Sequence, residues 1–172
     1  RLQAGALSVH PGPTALLEVL AGVVRLGDAR VELDIPEDLP MISADAGLLE
    51  RVLANLVANA LRYSPADRPP LLSCSKLGDH VEIRLVDRGP GIPPDDWDRV
   101  FLPFQRLGDT DNTTGVGLGL ALSRGLTEAM GGTLEPEETP GGGLTMVIAL
   151  PAGGAADLQT SPGLREREEV TR

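Results

Sequence analysis

The sequence predicts an α/β chain of the α+β kind, a two-layer sandwich with a mixed, mostly antiparallel sheet and helices on one of its faces. Three observations carry that expectation. Apolar residues step by three and four from Ala46 to Leu61, and a helical pattern resumes from Leu118 to Met130, as helices with one buried face require. Val81, Ile83 and Leu85 alternate with Glu82, Arg84 and Val86 at the period of a strand. Leu77-Gly78-Asp79 and Gly141-Gly142-Gly143 sit between neighbouring strand patterns, where they supply the turns of hairpins.

Each element has its own local reason. Leu16, Leu17, Val19, Leu20 and Val23 suit a short amphipathic helix over Thr14 to Leu26, with Pro13 near its first turn. Val31, Leu33 and Ile35 alternate with Glu32 and Asp34 as in a half-buried strand, and a short strand is expected at Met41-Ile42-Ser43 after Pro36 and Pro40. Asp45 is the candidate N-cap of the helix Ala46 to Leu61, whose apolar face is Leu49, Val52, Leu53, Leu56 and Ala60. Tyr63-Ser64-Pro65 stops it, and Pro69-Pro70 leads into a strand from Leu71 to Ser75.

Pro90, Pro93 and Pro94 break regular structure before a short helix within Asp95 to Phe101. Gly108 to Gly115 is polar and helix-poor, the pattern of a mobile loop. Gly131-Gly132 ends the second long helix, and a last hairpin pairs Thr133 to Glu135 with Leu144 to Leu150. From Pro151 the chain has little to bury and ends in charge, so a disordered tail is expected over 151–172, after a folded unit at 14–150 and a lead-in at 1–13 from an excised upstream region.

Composition narrows the function. A chain of 172 residues with 41% hydrophobic content can build one sizeable core. Fifteen Lys and Arg against 25 Asp and Glu, a formal charge of -10, disfavour a footprint on the phosphates of nucleic acid. No run approaches the roughly 18 apolar residues of a membrane span. Cys74 is the only cysteine and lies in the apolar Leu71-Leu72-Ser73-Cys74 segment, and His10 and His80 are too scattered for a zinc site.

Four ordered segments carry the chemistry. Asn55 and Asn59 stack on one side of the predicted helix, with Arg51 and Arg62 extending a polar stripe away from its apolar face. Amide oxygens suit Mg²⁺ that keeps waters and phosphates as its other ligands, and a nearby arginine can bond phosphate. The plain alternative is a solvated helix face. Asp87 ends a strand and is followed by Gly89 and Gly91, which allow a tight turn and close approach to a flat ligand; an aspartate there can accept from an exocyclic amine. An ordinary Asp-Gly turn would look the same.

Gly115, Gly117 and Gly119 permit close backbone passage just before a helix whose free N–H groups can meet phosphate, although a flexible linker is the competing explanation. It is not a standard P-loop, since Lys76 is the only lysine and no Gly-Lys-Ser/Thr occurs. Trp97, Phe101, Leu102 and Phe104 cluster next to this segment, either to pin its base to the core or to stack on a base.

Taken in this order, the segments resemble the ATP-binding catalytic domain of sensor histidine kinases, of the Bergerat or GHKL type, over about Val31 to Leu150. Asn55-Leu56-x-x-Asn59-Ala60-x-Arg62-Tyr63 resembles the N box, Asp87-Arg88-Gly89-Pro90-Gly91-Ile92 the G1 box, Phe101-Leu102-Pro103-Phe104 the F box, and Gly115-Val116-Gly117-Leu118-Gly119-Leu120 the G2 box. Gly141 to Gly143 occupies the last glycine-rich position.

The resemblance implies ATP and Mg²⁺ as cofactors. It assigns Asn59 to the metal, Asn55 to the metal's water shell or the phosphate side, Arg62 and Tyr63 to phosphate and nucleotide contacts, and Asp87 to the adenine amine. Gly89, Gly91 and Ile92 would shape the adenine end, while Gly115, Val116, Gly117, Leu118, Gly119 and Leu120 would border the phosphates. Ile92 to Val116 would form a lid in which Arg106 meets the transferring phosphate. Arg62 stands where many relatives have lysine, which keeps the charge but changes a compact donor into a planar fork.

Asn55 also occupies the position at which related chaperone and topoisomerase ATPases carry a water-activating glutamate, so phosphoryl transfer is implied rather than hydrolysis. The acceptor would be a histidine on a separate dimerisation domain, and the later acceptor a response regulator. Neither His10, before Pro11-Gly12-Pro13, nor His80 has the family's acceptor pattern, so the piece is expected not to autophosphorylate by itself. The family implies a cytoplasmic domain of a membrane-bound sensor. An anti-sigma-factor serine kinase on the same fold and a non-catalytic docking module are the competing functions.

Overall fold

Asp45 opens the longest helix with extended backbone (φ -82°, ψ 112°), its side chain accepting from Leu48 N at 3.2 Å. That bond satisfies one of the donors a helix start leaves free. The second carboxylate oxygen accepts from His10 N at 3.0 Å, so the same residue ties the incoming chain to the body. At the other end Ser64, held extended (ψ 137°) ahead of Pro65, returns its N–H to Ala60 O at 2.9 Å and closes the helix.

The computed structural model describes residues 7–26, 30–103 and 119–153. In chain order the described elements are β1 (Gly12–Thr14), α1 (Leu16–Leu26), β2 (Glu32–Asp34), β3 (Ile42–Ala44), α2 (Ala46–Tyr63), β4 (Leu71–Leu77), β5 (His80–Val86), a 3-10 turn (Pro94–Asp96), α3 (Trp97–Val100), α4 (Gly119–Ala129), β6 (Thr133–Glu138) and β7 (Leu144–Pro151). The main sheet has the order β2-β4-β5-β7-β6. Only the β2 to β4 pairing is parallel, and the other three are antiparallel.

Register decides which side chains meet the helices. Leu72 pairs with Leu85, Cys74 with Ile83, Ile83 with Ile148, Leu134 with Ile148, and Val81 with Leu150, all buried on one face. That face joins Leu49, Val52, Leu53 and Leu56 of α2, Leu126 of α4 and Leu16, Leu20 and Val23 of α1 in one core. On the opposite face Arg84 bonds both Glu82 and Glu137, bridging β5 to β6 across β7. The α+β sandwich with a mixed, mostly antiparallel sheet is therefore the observed architecture.

Two local expectations change. Pro13 does not enter a helix: Gly12–Thr14 pairs antiparallel with Ile42–Ala44, and the Thr14 hydroxyl donates to Ala44 O at 2.8 Å. That buried side-chain bond holds the segment extended and delays α1 to Leu16. β2 is not half-buried as a whole, since all three of its residues are exposed and Leu33 keeps 49% of its surface. It pairs on one side only, at the edge of the sheet, while flanking Val31 and Ile35 pack against the core. The expected loop at 108–115 and most of the expected tail lie outside the described residues.

Candidate functional site

The end of β5 places Asp87 where the helical layer and the β6–β7 turn meet. It is 8% exposed, and its Oδ1 accepts from Gly89 N at 3.0 Å and from Leu144 N at 3.1 Å. Its own N–H donates to Leu144 O at 2.9 Å. Burial pushes the carboxyl above its ordinary value, and the two backbone donors pull the other way. A buried carboxylate with both described donors on one oxygen can offer its second oxygen to a ligand's N–H.

The wall behind it is built by the last glycine-rich turn. Gly143 has φ +116°, and a Cβ there would overlap the Asp87 carbonyl, so only glycine lets the turn lie this close. The buried hydroxyls of Thr139 and Thr145 pair at 2.9 Å, and Thr139 also donates to Asp87 O at 3.4 Å. Thr139 and Thr145 were not picked out from the sequence; the available signal is that they bracket the glycine run.

The C-terminal end of α2 comes to the same place. A Cβ on Gly89 would overlap the Tyr63 carbonyl, and Arg88 N donates to Ser64 Oγ at 3.2 Å. The first and second predicted segments are thereby packed backbone to backbone. Tyr63 is exposed, and the Arg62 guanidinium lies 5.6 Å from its ring centroid. Asn55 and Asn59 are half-buried on α2. Asn55 faces the start of α4, where its Nδ2 donates to Ser123 Oγ at 2.9 Å.

Gly119 begins α4 beside Asn55, and Leu120 packs against the core. Gly91 has φ +74° and abuts Gly143. Ile92 O accepts from Trp97 Nε1 at 2.9 Å, which fixes the turn after Asp87 to α3. Phe101 is buried, and the Arg124 guanidinium stacks over it 3.4 Å from the ring centroid. Of the two roles open to this aromatic cluster, Phe101 and Trp97 take that of anchors. Phe104, Arg106, Gly115, Val116, Gly117 and Leu118 lie outside the described residues.

The donor set bears on a metal. Among the described residues no group of three or more His, Cys, Asp and Glu side chains could hold one. Amide oxygens on α2 fit a hard cation that brings waters and phosphate oxygens with it, as Mg²⁺ does, and not a cation needing a protein cage. No helix among the described residues is long and apolar enough to cross a membrane.

Comparison with known proteins shows the family. Residues 44–154 match the family model described as histidine kinase-, DNA gyrase B-, and HSP90-like ATPase. Sensor protein KdpD of Rathayibacter rathayi is 52% identical over 158 residues, covering 90% of this chain and 18% of that protein. Sensor protein KdpD of Mycobacterium tuberculosis H37Rv is 48% identical over 151 residues, covering 88% of this chain and 16% of that protein. The chain thus spans less than a fifth of either relative.

Among solved structures, full-length ShkA in complex with AMPPNP superposes with a TM-score of 0.74 at 30% identity, covering 90% of this chain and 34% of that one. The mycobacterial sensor histidine kinase MprB gives 0.69 at 26% identity, covering 84% of this chain and 97% of that one. Since the family match takes in well over half of its residues, from β3 through the end of β7, this chain belongs to the histidine kinase-, DNA gyrase B- and HSP90-like ATPase family.

Proposed function

We propose that this chain is the ATP-binding catalytic part of a two-component sensor histidine kinase, transferring the γ-phosphoryl group to a histidine on a separate dimerisation domain. The parent protein is read as a potassium-responsive sensor of the KdpD kind, bound to a membrane with this part on its cytoplasmic side. Phosphate would then pass to a response regulator. The observation that carries the nucleotide reading is Asp87, a buried carboxylate fixed through Oδ1 at the junction of α2, β5 and the β6–β7 turn. The relatives' names support the histidine kinase choice over a serine kinase.

Asp87 accepts the adenine amine and so discriminates against guanine, whose corresponding edge presents a carbonyl oxygen. Gly91 and Ile92 line that end. Asn59 holds Mg²⁺ and Asn55 contacts its water shell. The metal supplies neutralisation of phosphate charge, and Arg62, Tyr63 and the start of α4 orient the phosphates. With little covalent work for the protein, positioning for in-line transfer is the main task. Arg106 and the glycines from Gly115 to Gly119 take the phosphate side.

Isothermal titration with Mg²⁺-ATP and Mg²⁺-GTP tests this reading. Selective ATP binding is expected, and Asp87→Asn should weaken it by about 10- to 150-fold, the equivalent of one buried charged hydrogen bond. Unchanged ATP affinity in that variant would remove Asp87 from the site. Incubation with radiolabelled ATP should leave His10 and His80 unlabelled, because neither stands in an acceptor hairpin; label should appear only when a histidine-bearing dimerisation domain is added.

A further inference from the structure

We infer that Ser123 is a positioning residue for Asn55, holding that amide in the orientation the metal-bearing end of the nucleotide needs. The inference rests on the nucleotide reading above. Asn55 Nδ2 donates to Ser123 Oγ at 2.9 Å, a bond from the middle of α2 to the second turn of α4 across 68 positions of sequence. Ser123 is 2% exposed, so water does not compete for its hydroxyl.

Ser123 is itself held in place. The buried Thr127 hydroxyl donates to Ser123 O at 2.7 Å, one turn further along α4. One turn earlier on the same helix, Gly119 leaves the room the amide occupies: a Cβ there would stand 2.6 Å from Asn55 Oδ1 and 2.9 Å from Nδ2. The amide is therefore seated against Gly119 and Ser123, with one N–H given to the hydroxyl and both its terminal atoms beside the first residue of α4.

An asparagine side chain that rotates freely offers a cation's waters a donor as often as an acceptor. Those waters point hydrogens outward and need the oxygen. By engaging Nδ2 in a part-buried contact, Ser123 restricts that rotation before ligand arrives, which is the preorganisation that a bound metal and its phosphates would otherwise have to impose. Ser123 touches neither nucleotide nor metal in this scheme and acts only through Asn55.

The test is a set of titrations on the 172-residue chain. For wild type, Ser123→Ala, Asn55→Ala and the double variant, affinity for ADP is measured without divalent cation, and affinity for ATP across a Mg²⁺ series. Ser123→Ala should leave metal-free ADP binding unchanged and reduce the Mg²⁺-dependent gain in ATP affinity by about 3- to 10-fold, the scale of one neutral hydrogen bond. In the Asn55→Ala background the same substitution should cost nothing further. Ser123→Cys, which keeps the volume, should behave as Ser123→Ala does.

A second readout needs no ligand. The side-chain NH₂ signals of Asn55 in a ¹⁵N-correlated NMR spectrum should exchange slowly in wild type and collapse towards free-amide positions in Ser123→Ala. Equal losses with and without Mg²⁺, additive losses in the double variant, or unmoved amide signals would overturn the positioning role. Wild type that binds ADP and ATP while Ser123→Ala matches it throughout defeats this inference alone; folded wild type that binds neither defeats the nucleotide reading and this inference with it.

Discussion

Arg124 stacks on Phe101, its guanidinium carbon 3.4 Å from the ring centroid, while its Nε donates to Leu134 O and an Nη pairs with Glu135, each at 3.1 Å. One side chain on α4 thus pins the end of α3 to β6. A partly desolvated cation-π contact contributes about 0.5–2 kcal/mol and a hydrogen bond about 1 kcal/mol. Arg124→Ala should lower unfolding free energy by about 1–3 kcal/mol, and Arg124→Lys should recover only part of it because an ammonium cannot stack flat. Urea unfolding followed by Trp97, the only tryptophan, reads both; an unchanged midpoint in Arg124→Ala rules the clamp out.

Burial raises the Asp87 carboxyl above its ordinary 3.8, so the native chain binds that proton more tightly than the unfolded chain. The stability linked to this proton is complete below the unfolded value and is lost as pH rises through the raised folded value. With Asp87 in its proposed role, ligand binding would run the opposite way, since a protonated Asp87 no longer accepts as a carboxylate. Affinity for Mg²⁺-ADP should therefore fall on acidification before ordinary aspartates titrate. Asp87→Asn shares the nucleotide's own titration, so a difference between the two pH profiles isolates Asp87, and superimposable profiles would reject the effect.

Asp45 shows the reverse sign. The N–H of His10, and then that of Leu48, hold its carboxyl below the usual value. Its contribution is present above about pH 3.8, the unfolded value, and is lost as pH falls through the lower folded value. At neutral pH Asp45→Ala should cost about 1 kcal/mol, the usual worth of a helix N-cap. The gap between variant and wild type in a denaturant series should narrow steadily as pH falls below 3.8; a gap that does not change with pH would point to packing and not to the charge.

Cys74 is pushed up to about 12, by burial first and by the negative charge of Asp34 second. A thiol that is 6% exposed and uncharged has neither the access nor the thiolate needed for attack. At pH 8 an aromatic disulfide reagent should leave the folded chain unlabelled for as long as it stays folded and label it stoichiometrically in denaturant. Fast native labelling would mean that the β4 edge of the core opens locally.

Most of the local architecture was legible because it follows from near neighbours in the chain. The Asp45 cap, the stop at Ser64-Pro65, the Gly78 turn and the Gly131-Gly132 terminator depend on a few consecutive residues, and each is found within a residue or two of its expected place. β1 was missed because three residues, Gly12 to Thr14, carry no period of their own and are extended only by pairing with Ile42–Ala44 thirty positions away. Leu33 was expected to be half-buried because alternation reveals which side chains share a face, not whether anything covers that face.

The site divides along the same line. Asn55, Asn59, Asp87 and the glycines at 89, 91 and 119 stand out as candidates by residue type and spacing, since amides, a carboxylate and Cβ-free positions are chemical properties of the residues themselves. What the sequence by itself determined was the order of helices and strands and the chemistry that each segment could offer. Tertiary structure alone decided that Leu144 donates to the Asp87 oxygen that Gly89 meets locally, that Thr139 and Thr145 stand behind it, that Ser123 takes the Asn55 amide and that Arg124 covers Phe101. Apart from the local Asp87–Gly89 turn, those partners are 6 to 68 positions apart and are brought together by sheet register and helix packing, which depend on burying one shared apolar core rather than on any local run of residues.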